Sequence, residues 1–211
     1  MSILILCAGS PPAVKGEKLN SSAFDALIGS DRLTDIVPYT GKRIDTAERD
    51  VYIGEGIHAR QTAEQMLGEC PLTVEPMLNE VPLRSFTDTE KEYPAETWLR
   101  KAATQRRRED PRQAEGQTAV NSRADLLEER FRDVGDLIVV TYPVFLETML
   151  ERFRIRDWVI ARSEIGRFKP LERLILSRKD EHCGGCGHNC FLSNPGCGIG
   201  RDKAMRRKAR G

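Results

Sequence analysis

Short, uninterrupted apolar runs alternate along this chain with stretches whose apolar residues recur every three or four positions. Ile3-Leu4-Ile5-Leu6 is the first run, closed by Gly9-Ser10-Pro11-Pro12. Its unbroken hydrophobicity predicts a strand covered on both faces, because a strand with one wet face would alternate. Val51-Tyr52-Ile53, Leu72 to Val74, Leu137-Ile138-Val139-Val140-Thr141, Trp158 to Ala161 and Leu171 to Ser177 predict further strands. Ser22 to Gly29 reads as a short helix, with Ser22 and Asp25 at capping-box spacing and Gly29 as its stop. A second helix is expected from about Ile57 to Leu67, after Gly54 and Gly56 and ended by Gly68. Pro94 suits the first turn of a third, running through Trp98 toward Arg108. The strongest helical signal is Val120, Ala124, Leu127, Phe131 and Val134, which step by four and three to build one stripe, with Gly135 as the cap. A last helix is expected from about Phe145 to Phe153.

Buried strands alternating with amphipathic helices imply a three-layer α/β/α domain with a mostly parallel sheet over residues 1–179. At about Asp180 the composition turns abruptly to Cys, Gly and Asn, which sets off residues 180–211 as a small irregular Cys-rich tail. The 211 residues suffice for one domain and this appendage. With 39% hydrophobic and 31% charged residues and a formal net charge of +1, the composition is that of a globular, non-membrane protein. The apolar run at the start is too short for a membrane helix and lacks the basic leader of a signal peptide. The expected location is therefore cytoplasmic, where clustered cysteines hold metal more often than they form disulfides.

The tail carries four of the six cysteines, Cys183, Cys186, Cys190 and Cys197. Two thiolates separated by two residues can share an ion only if the backbone turns tightly between them, and Gly184-Gly185 allow it. Pro195-Gly196 and Gly198 shape a second turn at Cys197. Four thiolates suit Zn²⁺ or an iron–sulfur cluster equally by ligand type; zinc is preferred because the domain offers no redox partner. His182 and His188 are expected just outside the metal shell. The segment from Cys186 to Arg201 resembles short cysteine tails on otherwise unrelated bacterial proteins. Beyond it, Arg201, Lys203, Arg206, Arg207, Lys208 and Arg210 face one acid, Asp202. This basic end is read as solvated, with nucleic acid a minor alternative partner.

Ligands in open α/β sheets gather where strands end and helices begin. Three such places stand out: Leu6-Cys7-Ala8-Gly9, His58-Ala59-Arg60-Gln61-Thr62-Ala63-Glu64, and Val139-Val140-Thr141-Tyr142-Pro143. With Leu78-Asn79-Glu80 between them and Gly116 to Arg123 leading into the striped helix, the order resembles the histidine phosphatase superfamily, the phosphoglycerate-mutase-like fold, over residues 1–177. The resemblance implies a first strand ending in Arg-His-Gly, a helix-opening Arg, an acid, and a second His after the later strand. Here those positions hold Cys7-Ala8-Gly9, His58, Glu80 and Tyr142, so only the acid has a counterpart. Alanine at position 8 removes the nucleophile and closes the phosphohistidine route at its first step.

Three functional readings follow. The leading one is a catalytically silent pseudoenzyme of this superfamily that binds a ligand or a protein partner. The alternative is an enzyme, a phosphatase- or phosphomutase-related hydrolase of altered mechanism using Cys7, His58 and Glu80; it requires those side chains to converge. A third is a metal- or redox-responsive module acting through the cysteine tail. Against the second stand plainer roles: Cys7 as a core side chain, His58 as a helix-end hydrogen-bonder, Glu80 as a solvated carboxylate and Tyr142 as a filler of the space that the superfamily leaves open.

Overall fold

A computed structural model describes residues 2–10, 17–30, 35–47, 49–160 and 170–178. The cysteine tail, with Cys183, Cys186, Cys190 and Cys197, lies outside the described residues. In chain order the elements are β1 (Ser2–Cys7), β2 (Lys18–Leu19), α1 (Ser21–Ser30), β3 (Asp50–Ile53), α2 (Ile57–Leu67), β4 (Thr73–Val74), a 3₁₀ turn (Pro76–Leu78), β5 (Tyr93–Pro94), α3 (Ala95–Arg107), α4 (Gln117–Phe131), β6 (Leu137–Thr141), α5 (Pro143–Ile155), β7 (Trp158–Ile160) and β8 (Arg173–Arg178).

Six strands form one sheet in the order β4-β3-β6-β1-β8-β7. β4, β3, β6 and β1 run parallel, and β8 is antiparallel to both β1 and β7. The sheet is thus mostly parallel, as the buried runs predict. β1 and β6 are buried at every position, which fits central strands covered on both faces. Side chains alternate along β1. Ile3, Ile5 and Cys7 pack with Val120, Ala124, Leu127 and Phe131 of α4 and Phe145, Leu146 and Met149 of α5. Leu4, Leu6 and Ala8 pack with Ala59, Ala63, Met66 and Leu67 of α2. These two layers flank the sheet. Among the described residues no helix is long and apolar enough to cross a membrane.

Several boundaries differ from expectation for local reasons. The cap of α1 is Asn20, whose Oδ1 accepts from the Ala23 amide at 2.9 Å; Ser22 lies inside the helix. Asp25 instead accepts from the amide and hydroxyl of Ser85, at 2.6 and 2.9 Å. Gly29 does not stop the helix, which runs to Ser30. α4 ends at Phe131, short of Val134 and Gly135. Leu171 adopts a left-handed turn at φ 65°, so β8 begins only at Arg173. The two-residue pair β2–β5 is too short for periodicity to reveal. It borders a separate aromatic nucleus in which Phe24 stacks on Trp98 at 5.5 Å and the Trp98 indole donates to the Leu19 carbonyl at 2.7 Å.

Candidate functional site

The site is assembled by backbone pairing at the carboxyl ends of β1, β3 and β6. Cys7 stands opposite Thr141 and Val140 opposite Ile53. Pairing continues past the strands: the Ala8 amide donates to the Thr141 carbonyl at 2.7 Å and the Gly54 amide to the Val140 carbonyl at 3.3 Å. On the other side Cys7 donates to the Glu172 carbonyl at 2.8 Å and accepts from the Leu171 amide at 3.0 Å. Thr141 Oγ1 donates to the Leu78 carbonyl at 2.9 Å, which ties the 3₁₀ turn, and with it Asn79 and Glu80, to the strand ends.

The expected pocket positions fall at these ends but divide between the two layers. Ala8 is fully buried against the α2 side. Beyond it, Gly9 donates its amide to Thr62 Oγ1 at 2.8 Å, and the same hydroxyl donates to the His58 carbonyl at 2.6 Å. Thr62 therefore acts as a clamp between the first strand end and the first turn of α2. A side chain at Gly9 would meet Ile36 Cδ1 at 2.7 Å and Leu171 Cδ2 at 3.1 Å. Aliphatic groups close this side. His58 is buried on the first turn of α2.

Tyr142 is the N-cap residue of α5, and its ring lies against the turn after β3. A Cβ on Gly54 would be 3.1 Å from Tyr142 Cε2, and one on Gly56 would collide with the Tyr142 hydroxyl. The phenol thus occupies space over the carboxyl ends of β3 and β6. Its neighbour Asn79 accepts from the Glu55 amide at 2.7 Å and donates to the Glu55 carboxylate at 2.5 Å.

Cys7 and Glu80 share the α4–α5 side. Glu80 accepts from the amides of Val81 and Phe145, at 2.8 and 3.2 Å, so its carboxylate holds the start of α5. Burial pushes its pKa up to about 7, against the stabilising pull of those amides, that of Val144, and the Arg123 charge. Cys7, only 1% exposed, is pushed up to about 12, first by burial and then by the negative charges of Glu80 and Glu172. Such a thiol is protonated and a poor nucleophile. Cys7 therefore lies in one helical layer with Glu80, whereas His58 opens the helix that packs on the other.

Two cations near Glu80 lie outside the set of site residues expected from the sequence. Arg123 donates from Nη1 to the Asn79 carbonyl at 2.9 Å and from Nη2 to Glu115 at 3.1 Å, and its guanidinium lies 4.2 Å from the Phe145 ring centroid. Arg106, at the end of α3, is 5% exposed. Their signal was available in the helical spacing: Arg106 follows Trp98 and Ala102 on one face, and Arg123 lies one turn from Val120 and Leu127 on the stripe.

A three-layer α/β/α domain with its candidate site at the carboxyl ends of parallel strands defines the class. Within it, the chain has the histidine phosphatase, or phosphoglycerate-mutase-like, fold that its strand-end motifs implied. The solved structure of YhfR from Bacillus stearothermophilus is similar at a TM-score of 0.50 and 16% identity, over 87% of this chain and 92% of that one. Phosphoglycerate mutase from Bacillus anthracis aligns at a TM-score of 0.45 and 14% identity, over 92% and 96% of the two chains. A phosphoserine phosphatase from Entamoeba histolytica, carrying a His-to-Ala change and bound to phosphoserine, aligns at 0.43 and 11%, over 73% and 80%. The first of these, at 0.50, establishes shared fold alone. No family profile matches the chain, and no curated protein is significantly similar to it in sequence.

Proposed function

We propose that this chain is a non-hydrolytic binding protein built on the histidine phosphatase fold. The observation that carries the reading is the occupation of the strand ends by the chain's own groups. Tyr142 lies over the Gly54–Gly56 turn, Ile36 and Leu171 close the space beyond Gly9, and Ala8 offers no nucleophile. What remains is a partly buried carboxyl group, Glu80, with the half-buried Arg123 guanidinium bound to the carbonyl of the preceding Asn79, a chemistry suited to holding a ligand rather than transferring phosphoryl groups. A small-molecule or protein partner at this end of the sheet is the function it supports.

The test is turnover of para-nitrophenyl phosphate and a panel of phosphomonoesters by the purified full chain, beside His58→Ala and Glu80→Gln. The expected result is no hydrolysis above buffer for any of the three. Hydrolysis by the parent chain that disappears in either variant would establish an enzyme using the same cleft. Against that second reading stands the raised pKa of Cys7, which leaves it without thiolate at neutral pH.

For the tail we propose that Cys183, Cys186, Cys190 and Cys197 bind zinc, with an iron–sulfur cluster as the alternative. Support comes from ligand type and turn glycines. A metal- or redox-dependent partner contact through the adjoining basic end is the regulatory role this would allow.

A further inference from the structure

We propose that Asp35 to Pro38 form an autoinhibitory strap, which lays Ile36 over the carboxyl end of β1 and must lift before a ligand reaches it. The proposal deepens the binding reading above and rests on it.

The strap carries no regular secondary structure, so its amides need acceptors outside a helix or a ladder. Side chains of α2 supply them. Gln61 Oε1 accepts from the Ile36 amide at 3.2 Å, and Gln61 Nε2 donates to Asp35 Oδ1 at 2.5 Å. Gln65, one turn further along the helix, accepts from the Tyr39 amide at 2.6 Å. The Val37 amide donates to the Ser10 carbonyl at 3.1 Å. Pro38 has no amide to satisfy and biases Val37 toward an extended backbone.

Within the strap, Ile36 is 3% exposed, whereas Asp35, Val37 and Pro38 are exposed. Ile36 is seated directly on Gly9: a Cβ there would lie 2.7 Å from Ile36 Cδ1 and 2.9 Å from Ile36 Cβ. Further on, Tyr39 and Ile44 pack with the α2 layer, and the Ile44 amide donates to the Met66 carbonyl at 2.7 Å. The movable part is therefore short. One apolar anchor holds it, together with hydrogen bonds that water can replace. β1 beneath it is paired on both sides and buried along its length. Local opening falls on the segment with the fewest buried contacts, so the strap lifts while the sheet stays intact.

Lifting uncovers Gly9, the Ser10 carbonyl and Gln61 together. These groups now hold backbone amides on either side of a branched aliphatic side chain. The ligand class that matches them is an extended peptide carrying an aliphatic residue after an acid, as the strap itself does.

The experiment pairs hydrogen exchange with peptide binding, both on the full chain at pH 7. In the parent, the Ile36 and Val37 amides should exchange at least about tenfold faster than those of Leu4 to Leu6. A fluorescein-labelled hexapeptide with the sequence of residues 35–40 should bind Ile36→Ser saturably by fluorescence anisotropy. Its affinity for the parent should be at least about tenfold weaker, because the seat is free only in the open fraction. The peptide carrying the same Ile-to-Ser change should not bind. Far-ultraviolet circular dichroism checks folding, and the exchange measurement, which needs no variant, decides alone if Ile36→Ser does not fold. Strap exchange as slow as that of β1, no saturable binding by Ile36→Ser, equal affinity of parent and variant, or equal affinity for the altered peptide overturns the strap. Phosphomonoester turnover by the parent alongside the expected results would instead remove the non-hydrolytic reading and leave the strap standing.

Discussion

The Tyr142 phenol is laid so closely across Gly56 that a methyl group there would collide with its hydroxyl and come within 3.1 Å of the ring carbon bearing it. Gly56 has φ −67° and ψ 151°, a conformation open to any residue, so glycine is needed for room and not for backbone freedom. The two residues come from the turn after β3 and the turn after β6, and their contact welds those strand ends together.

Gly56→Ala should therefore destabilise the protein by roughly 1–3 kcal/mol, the usual range for overpacking. Tyr142→Phe in the same chain removes the colliding oxygen and should restore more than half of the loss. Urea denaturation of the two single variants and the double variant measures the coupling. A neutral Gly56→Ala, or two effects that simply add, would show that the ring does not occupy that space.

Glu80 supplies a pH dependence of defined sign. Its pKa is raised from an ordinary 4.5 to about 7 by burial, so the folded state holds the proton more tightly than the unfolded one. The resulting stability is fully present below pH 4.5 and is lost as the pH rises through about 7. At roughly 1.4 kcal/mol per tenfold change in proton affinity, the effect is at most about 3 kcal/mol. Glu80→Gln keeps an oxygen to accept from Val81 and Phe145 but cannot titrate. Stability of the parent relative to this variant should fall between pH 4.5 and 7 in urea titrations, and a constant difference would mean that the carboxyl titrates normally.

Cys7 should behave as a core side chain. Only 1% of it is exposed, and its pKa is pushed up to about 12, so neither access nor thiolate is present at pH 8. Iodoacetamide treatment of the native full chain, followed by peptide mapping, should leave Cys7 unmodified while partly exposed Cys70 reacts; in urea both should react. Rapid labelling of Cys7 in the native protein would restore it as a nucleophile candidate.

The parallel sheet was legible because its central strands are short and wholly apolar, and α2 because glycines frame it on both sides. The motif positions of the site were legible too, since Ala8 and Tyr142 replace groups that the resemblance demands. What could not be read is how those positions divide. Alternation along β1 sends Cys7 toward α4 and α5 and Ala8 toward α2, and no spacing rule links either face to His58 or Glu80. Ile36 comes from a segment without periodic pattern, and Leu171, expected in a strand, sits in the left-handed turn before it, so their closure over Gly9 is a purely tertiary event. Arg106 and Arg123 match no pocket position that the resemblance singles out. Their helical spacing from Trp98 and Ala102, and from Val120 and Leu127, is the signal that marks them.

The tail yields the remaining prediction, from sequence chemistry alone. Four cysteines with glycine turns between them supply the closed thiolate set of a structural zinc site. Full chain purified without oxygen should contain about one zinc per molecule, with no visible absorbance and no acid-labile sulfide. Cys186→Ser and Cys190→Ser should each lower the zinc content, because a tetrahedral site that loses one thiolate must recruit water or a nearby histidine. Since thiolates compete with protons for the ion, zinc should also be released on acidification. Iron with sulfide and a broad visible band would replace the zinc reading with an iron–sulfur cluster and favour a redox-responsive role. Protein without any metal, and with all four thiols free to alkylation, would remove the metal site altogether.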